Sequence, residues 1–237
     1  MTWKLPPLPV APASVQQPKK FTGKNPSYLN SSGIASLVQH KLFQSRMPSD
    51  QEIQQWFANP KNGIGTLGGW HNIIWLDFDT KRFQSIAECD RRIESWIIAH
   101  HLEDTFIERT HSDGWRIGVR VRTVPSFTNF SLEPAAGRHI GEALGKGRFT
   151  VLAPTIGKSG NPYRSINRAY PIEVESLEAI GIYPCSELPS QGGLKVPLLP
   201  KSNASLVVNP RLPKKELRAT KLSGQTLSKS QGNLSYR

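Results

Sequence analysis

A strongly apolar run at residues 72–78, Asn-Ile-Ile-Trp-Leu-Asp-Phe, follows a turn at Gly69 and ends on two carboxylates, Asp77 and Asp79. A short apolar run bounded by turn residues reads as a β-strand, so the fold has to contain a sheet built around it. Side chains alternate faces along a strand, which puts Asp77 and Asp79 on one side, about 7 Å apart along the backbone. Two like charges so placed repel each other, and more strongly if buried. Carboxylate oxygens are the donors that Mg²⁺ or Mn²⁺ prefers, and such an ion would relieve the repulsion. The competing reading is a strand that runs out into a solvated turn, with Thr80 and Lys81 following. An Asp-x-Asp pair alone leaves both open.

The segments on either side define the fold class. Pro48-Ser49-Asp50-Gln51-Glu52 opens a helix with Ser49 and Glu52 as a capping box, and Ile53, Trp56 and Phe57 follow at helical spacing. Residues 63–68 look like a short Gly-rich strand. A second helix is predicted from about Phe83 to His101, with Ile86, Cys89, Ile93, Trp96 and Ile97 as its apolar stripe. Residues 105–110 and 115–122 read as a hairpin turning at Ser112-Asp113-Gly114; Phe149–Leu152 is a further strand, and 176–180 a short helix closing on Gly181. Strands, a helix, a hairpin and more strands make an α+β body with a mixed or antiparallel sheet flanked by helices.

Composition limits the function classes. A chain of 237 residues is long enough for one core, and its net charge of +12 points to a polyanionic partner. Seven of those charges fall in residues 201–237, which hold eight Lys or Arg against Glu216 alone. That stretch reads as a flexible basic tail, residues 1–20 as an extended, proline-broken lead-in, and 21–200 as the folded domain. Cys89 and Cys185 are the only cysteines and have no metal-site spacing. They suit a reducing cytosol, and the absence of any membrane-length apolar run or signal segment points to a cytoplasmic protein away from membranes.

The second strand of the hairpin alternates cleanly. Trp115, Ile117, Val119 and Val121 share one face; Arg116, Gly118, Arg120 and Arg122 share the other. Three arginines on one face need solvent or anions, and a phosphate-bearing ligand would satisfy them. Trp115 flanks a turn and is a candidate base-stacking platform. The Gly-rich segments around Lys146 and Lys158 lack the spacing of an ATP-binding P-loop, so the chain has no recognisable motor.

Taken in order, the pieces resemble the bifunctional DNA primase/polymerase (prim-pol) domains of the archaeo-eukaryotic primase superfamily. The resemblance runs from about Phe21 to Pro184. It is carried by Gly23-Lys24-Asn25-Pro26, Glu52–Phe57 with Asn62–Gly65, and Leu76-Asp77-Phe78-Asp79. Thr110-His111-Ser112-Asp113-Gly114-Trp115-Arg116, Gly145–Pro154 and Ser159–Tyr163 complete it.

What the resemblance implies is two-metal nucleotidyl transfer for DNA replication or repair. Asp77, Asp79 and Glu142 would be the catalytic ligands of two Mg²⁺ or Mn²⁺ ions. Ser112, Gly114, Arg116, Arg120, Arg148, Lys158 and Lys24 would hold a ribo- or deoxyribonucleoside triphosphate, with Arg122 and Trp115 on the single-stranded or primed DNA template. A helicase would act in trans. Arg116 stands where the family usually has His, and Asp113 replaces a Gly; Arg keeps charge and donors but does not titrate near neutral pH. The alternative is a catalytically degenerate prim-pol, a non-enzymatic single-stranded-DNA-binding accessory protein.

Overall fold

In the computed structural model, residues 4–15, 20–134 and 137–185 are described. The chain divides into two units, residues 1–192 and 193–237, and the basic tail expected at 201–237 lies outside the described residues. In chain order the strands and helices of the first unit are β1 (Leu8–Val10), β2 (Ser27–Leu29), β3 (Ala35–Leu37), α1 (Asp50–Phe57), β4 (Gly63–Leu67), β5 (Ile73–Phe78) and α2 (Ile86–Ala99). They continue with β6 (Phe106–Arg109), β7 (Trp115–Val121), β8 (Asn129–Ser131), β9 (Gly141–Leu144), β10 (Phe149–Leu152), β11 (Arg164–Arg168), β12 (Ile172–Val174) and β13 (Tyr183–Pro184). This is a mixed α+β body dominated by antiparallel sheet. Among the described residues no helix is long and apolar enough to cross a membrane.

The main sheet runs β11-β6-β7-β5-β9-β8-β13, with β12 pairing parallel to the end of β7. The apolar run 72–78 supplies β5, hydrogen-bonded on both sides, to β7 and to β9. A strand in that position must offer apolar side chains to two layers, and β5 does. Ile74, Leu76 and Phe78 join the cluster that α2 covers with Cys89, Ile93, Trp96 and Ile97. Ile73 and Trp75 point the other way, into a cluster with Phe106 and Leu144 against which Leu5, Leu152 and Tyr170 pack. Each fully buried side chain of this size stabilises the fold by roughly 1.5–3 kcal/mol. Trp75, Phe78 and Ile117 alone therefore represent several kcal/mol on this one central strand pair.

A second, three-stranded sheet, β1-β4-β10, is antiparallel throughout. The stretch expected as an extended lead-in contributes its edge strand: Leu8 and Val10 are buried, and Thr66 donates to the Pro6 carbonyl at 3.0 Å. Leu152 and Val151 of β10 sit against the face of the main sheet that α2 leaves bare, Leu152 by packing and Val151 through its carbonyl.

Local signals explain the helices. Ser49 caps α1, accepting from the Glu52 N–H while Glu52 accepts from the Ser49 N–H, the reciprocal arrangement expected from the sequence. Ser85 caps α2 in the same position relative to Glu88, so the helix starts at Ile86 rather than near Phe83. As the first helical residue, Ile86 lies outside the buried stripe and is 49% exposed. The helix predicted at 176–180 is a single 3-10 turn, Glu178–Ile180, ended by Gly181 at φ 72°.

Candidate functional site

Register places the chemistry. Asp77 of β5 is the cross-strand partner of Arg116 on β7 and of Glu142 on β9. Arg116 is in turn opposite Glu108 on β6, and Glu142 opposite Asn129 on β8. Partners in antiparallel strands share a face, with Cα atoms about 4.5–5.5 Å apart. Glu108, Arg116, Asp77, Glu142 and Asn129 therefore form one polar row crossing five strands, on the face opposite α2.

Part of that row lines a pocket of about 360 Å³. Asp77, Arg116 and Glu142 form its floor, Arg148, Phe149 and Val151 come from β10 and the turn before it, and Lys24, His40 and Tyr163 complete the wall. The larger cavity of about 960 Å³ is lined by Val10, Phe57, Ile64, Pro154 and Ile156 and holds none of these carboxylates. Its apolar lining suits it less to phosphate chemistry than the smaller pocket, whose wall is charged.

Arg116 is the most constrained residue of the site. It is 3% exposed, its Nη2 lies 3.2 Å from Asp77 Oδ2, and its Nη1 donates to the Val151 carbonyl of the small sheet. The guanidinium carbon is 5.2 Å from the centre of the Tyr163 ring. Burial by itself would lower its pKa, but Asp77, Tyr163 and Glu108 outweigh that and hold it above the ordinary value. Behind it, Glu108 is 2% exposed; Oε1 accepts from the Ala153 N–H at 3.0 Å and Oε2 has no hydrogen-bond partner. Burial pushes the Glu108 carboxyl upward, opposed by the Ala153 N–H and the Arg116 charge.

The structure separates the other residues singled out in the sequence. Lys24 and Arg148 are in the pocket. Asp79 is not among its lining residues: β5 ends at Phe78, and Asp79 caps a 3-10 turn, accepting from the Lys81 N–H and pairing with Lys81 Nζ at 2.6 Å. Arg120 and Arg122 are taken up by β12 and its flank, with Glu173 at 3.0 Å from Arg120 and 2.7 Å from Arg122, and Glu175 at 3.1 Å from Arg122. Their free charge as phosphate or DNA contacts is thus largely spent.

Lys158 lines the apolar cavity instead of the pocket. Trp115 is buried in the α2 cluster, its indole N–H donating to Asp90 at 2.9 Å, so it offers no stacking face. In the turn, the Ser112 carbonyl accepts from the Thr80 hydroxyl at 3.0 Å. Gly114 lies so close to β5 that a Cβ there would come within 2.4 Å of the Phe78 carbonyl oxygen. Asp113 pairs with Arg164 at 3.1 Å, which offsets the extra negative charge of the turn.

Three residues of the site escaped the sequence reading. Tyr163 and His40 line the pocket. His111 is 8% exposed, contacts Tyr163 edge-on at 5.3 Å and places Nδ1 3.0 Å from Ser159 Oγ. Burial lowers the His111 pKa, and Lys24 lowers it further. Only the position of Tyr163 after the Ser159-Gly160-Asn161-Pro162 turn offered a signal for it.

The model of the bifunctional DNA primase/polymerase, N-terminal domain family (Prim-Pol) matches residues 2–190. The chain belongs to this family. Membership gives the Prim-Pol domain a DNA primase/polymerase-type, nucleotidyltransferase function at the family level, with a DNA template and nucleotides as substrates. No curated protein matches the chain.

Prim-Pol nucleotidyltransferases typically use divalent metals. Among the described residues of this Prim-Pol domain, no group of three or more His, Cys, Asp or Glu side chains is gathered to hold one. Two hard oxygen donors, Asp77 and Glu142, do stand side by side in the pocket, a set that fits one Mg²⁺ or Mn²⁺ completed by water or phosphate oxygens.

Proposed function

We propose that this Prim-Pol domain joins nucleotides on a DNA template, with the 360 Å³ pocket receiving the triphosphate end of the incoming nucleotide and a divalent cation. The observation that carries this reading is the register of Asp77 beside Glu142 in a pocket that Lys24, Arg116 and Arg148 also line. Acidic donors on the floor and cationic groups on the wall are what a metal-bound polyphosphate requires.

In the transfer, the primer 3′-oxygen bonds to the α-phosphorus as the bond from that phosphorus to the β-phosphate oxygen breaks. Pyrophosphate leaves with the electron pair and the hydroxyl proton passes to water. A bound Mg²⁺ or Mn²⁺ supplies Lewis acidity for the attacking and leaving oxygens. Asp77 and Glu142 would hold it; Lys24 and Arg148 would bind and orient the phosphates; Arg116 fixes Asp77 in place. Because Asp77, Arg116 and Glu142 sit on paired strands, they are pre-positioned before substrate arrives.

Primer extension on a primed DNA template with Mn²⁺ tests the reading. Wild type should extend, and Asp77→Asn and Glu142→Gln should not, with unchanged circular dichroism. Absence of extension by wild type, or full extension by an Asp77→Ala/Glu142→Ala double variant, would remove it. A second reading, a catalytically silent single-stranded-DNA-binding accessory domain, is favoured by one observation: the Arg116 guanidinium already occupies Asp77. It predicts salt-dependent, metal-independent DNA binding, and extension by wild type would exclude it.

A further inference from the structure

We infer that Arg116 acts as a built-in cation of the site, so that the pocket takes one divalent metal ion instead of two. The inference rests on the nucleotidyl-transfer reading above. Its starting point is the placement of the guanidinium: Nη2 is 3.2 Å from Asp77 Oδ2, so that oxygen already has a cationic partner. A two-ion site needs cations about 3.5–4 Å apart sharing a carboxylate. Here one of the two positions around Asp77 is filled by a positive charge that belongs to the chain.

That charge cannot easily be moved aside. Arg116 is 3% exposed and held from several directions, by Asp77, by the Val151 carbonyl and by the face of Tyr163. Glu108, its register partner on the far side, is buried in the same row, its Oε1 on the Ala153 N–H, and feels the Arg116 charge through space. Withdrawing the guanidinium would leave that side of Asp77 and the buried Glu108 without their cation, and burial makes such a loss costly.

The remaining acids lead to the same count. Asp77 and Glu142 bring two negative charges to the pocket, and Arg116 already offsets one of them. Asp79, the residue that would have made a third ligand, is committed to the Lys81 N–H and Lys81 Nζ. A second divalent ion would meet a half-neutralised Asp77, no third carboxylate in the pocket, and a fixed like charge beside it. A single ion held by Asp77, Glu142 and the nucleotide phosphates would need no third carboxylate and would leave Arg116 where it is. Arg116 would then do for Asp77 and the reacting phosphate what a second ion does elsewhere, as a charge with directional donors.

The experiment is a Mn²⁺ titration of the full chain with a non-hydrolysable nucleoside triphosphate analogue, counted by electron paramagnetic resonance against the analogue alone. Primer extension is run in parallel. Wild type should bind one Mn²⁺ per protein–nucleotide complex, with a spectrum free of Mn–Mn coupling. Arg116→His, or Arg116→Gln if the first does not fold, should bind two and show a coupled pair, while Arg116→Lys should stay at one.

Two coupled ions in a wild type that extends primers would overturn this inference and leave the function intact. A folded Arg116→His or Arg116→Gln protein that still binds one would also overturn it. Failure of wild type and variants alike to bind Mn²⁺ or extend primers would remove the proposed function, and this inference with it.

Discussion

Arg116 and Asp77 are register partners on adjacent strands, joined at 3.2 Å, and Glu108 is the register partner of the same arginine on its other side. Removing the arginine leaves Asp77 without its partner and takes a nearby positive charge away from the buried Glu108. Deleting one member of a buried ion pair costs about 3–5 kcal/mol, and the 30% exposure of the Asp77 side chain puts this one at the lower end. Arg116→Ala should lose stability on that scale in urea unfolding. The double variant Arg116→Met/Glu108→Leu should recover much of the loss, because no unpaired charge remains buried.

Pocket acids should separate from the acid held outside it. Asp77→Asn and Glu142→Gln should each lower primer extension about 10²–10³-fold, the scale seen when one pre-positioned electrostatic group is removed from a site. Asp79→Asn should cost less than about tenfold, since its carboxylate is paired to Lys81. Equal losses at Asp77 and Asp79 would show that Asp79 enters the pocket during turnover.

The basic residues divide in the same way. Lys24→Ala and Arg148→Ala should raise the KM for nucleotide several-fold with a smaller change in kcat. Arg120→Ala and Arg122→Ala should leave both the nucleotide KM and single-stranded DNA affinity within about a factor of two, because Glu173 and Glu175 already pair them. Fluorescence anisotropy on labelled DNA, read beside the kinetics, checks both halves.

Gly114 is required by proximity. An added Cβ would sit 2.4 Å from the Phe78 carbonyl oxygen and 2.9 Å from Thr110 Oγ1, and the nearer atom is backbone of the central strand. Gly114→Ala should lower stability by about 1–3 kcal/mol, as overpacking does. It should also reduce activity by disturbing the end of β5. Thermal unfolding and primer extension should fall together.

His111 gives the fold a pH dependence of known sign. Burial, then Lys24, lowers its pKa from the usual 6.5. A depressed group contributes stability that is full above its unfolded pKa and is lost as pH falls through the folded one. Stability should therefore drop as pH is lowered from about 6.5, and the His111→Gln variant should show a shallower slope. Denaturation midpoints between pH 5 and pH 8 decide it.

What was legible in the sequence was mostly local. The Ser49 capping box, the stripe Cys89, Ile93, Trp96 and Ile97, and the alternation along 115–121 are short-range patterns, and each reappears in the structure. The pairing of Asp77 with Glu142 depends on a register between segments more than sixty residues apart, and only the family resemblance brought those two residues together in advance. The fates of the arginines were not legible at all. Alternation puts Arg116, Arg120 and Arg122 on one face, but which acid each meets depends on where β12 docks and on how deeply β10 covers the row. The place of Asp79 was not legible for a simpler reason: the strand stops at Phe78, and beyond a strand end the alternation rule no longer says which way a side chain faces.

β5 gives Ile74, Leu76 and Phe78 to one side and Trp75 and Asp77 to the other, with no residue to spare between the turn at Gly69 and the cap at Asp79. For the gene, the loss of a single codon in this stretch is a graver event than nearly any substitution within it. The side chains beyond the missing residue would all change sides, sending a carboxylate toward α2 and a phenylalanine toward the nucleotide. Inheritance should therefore tolerate changed letters here far more readily than a changed count.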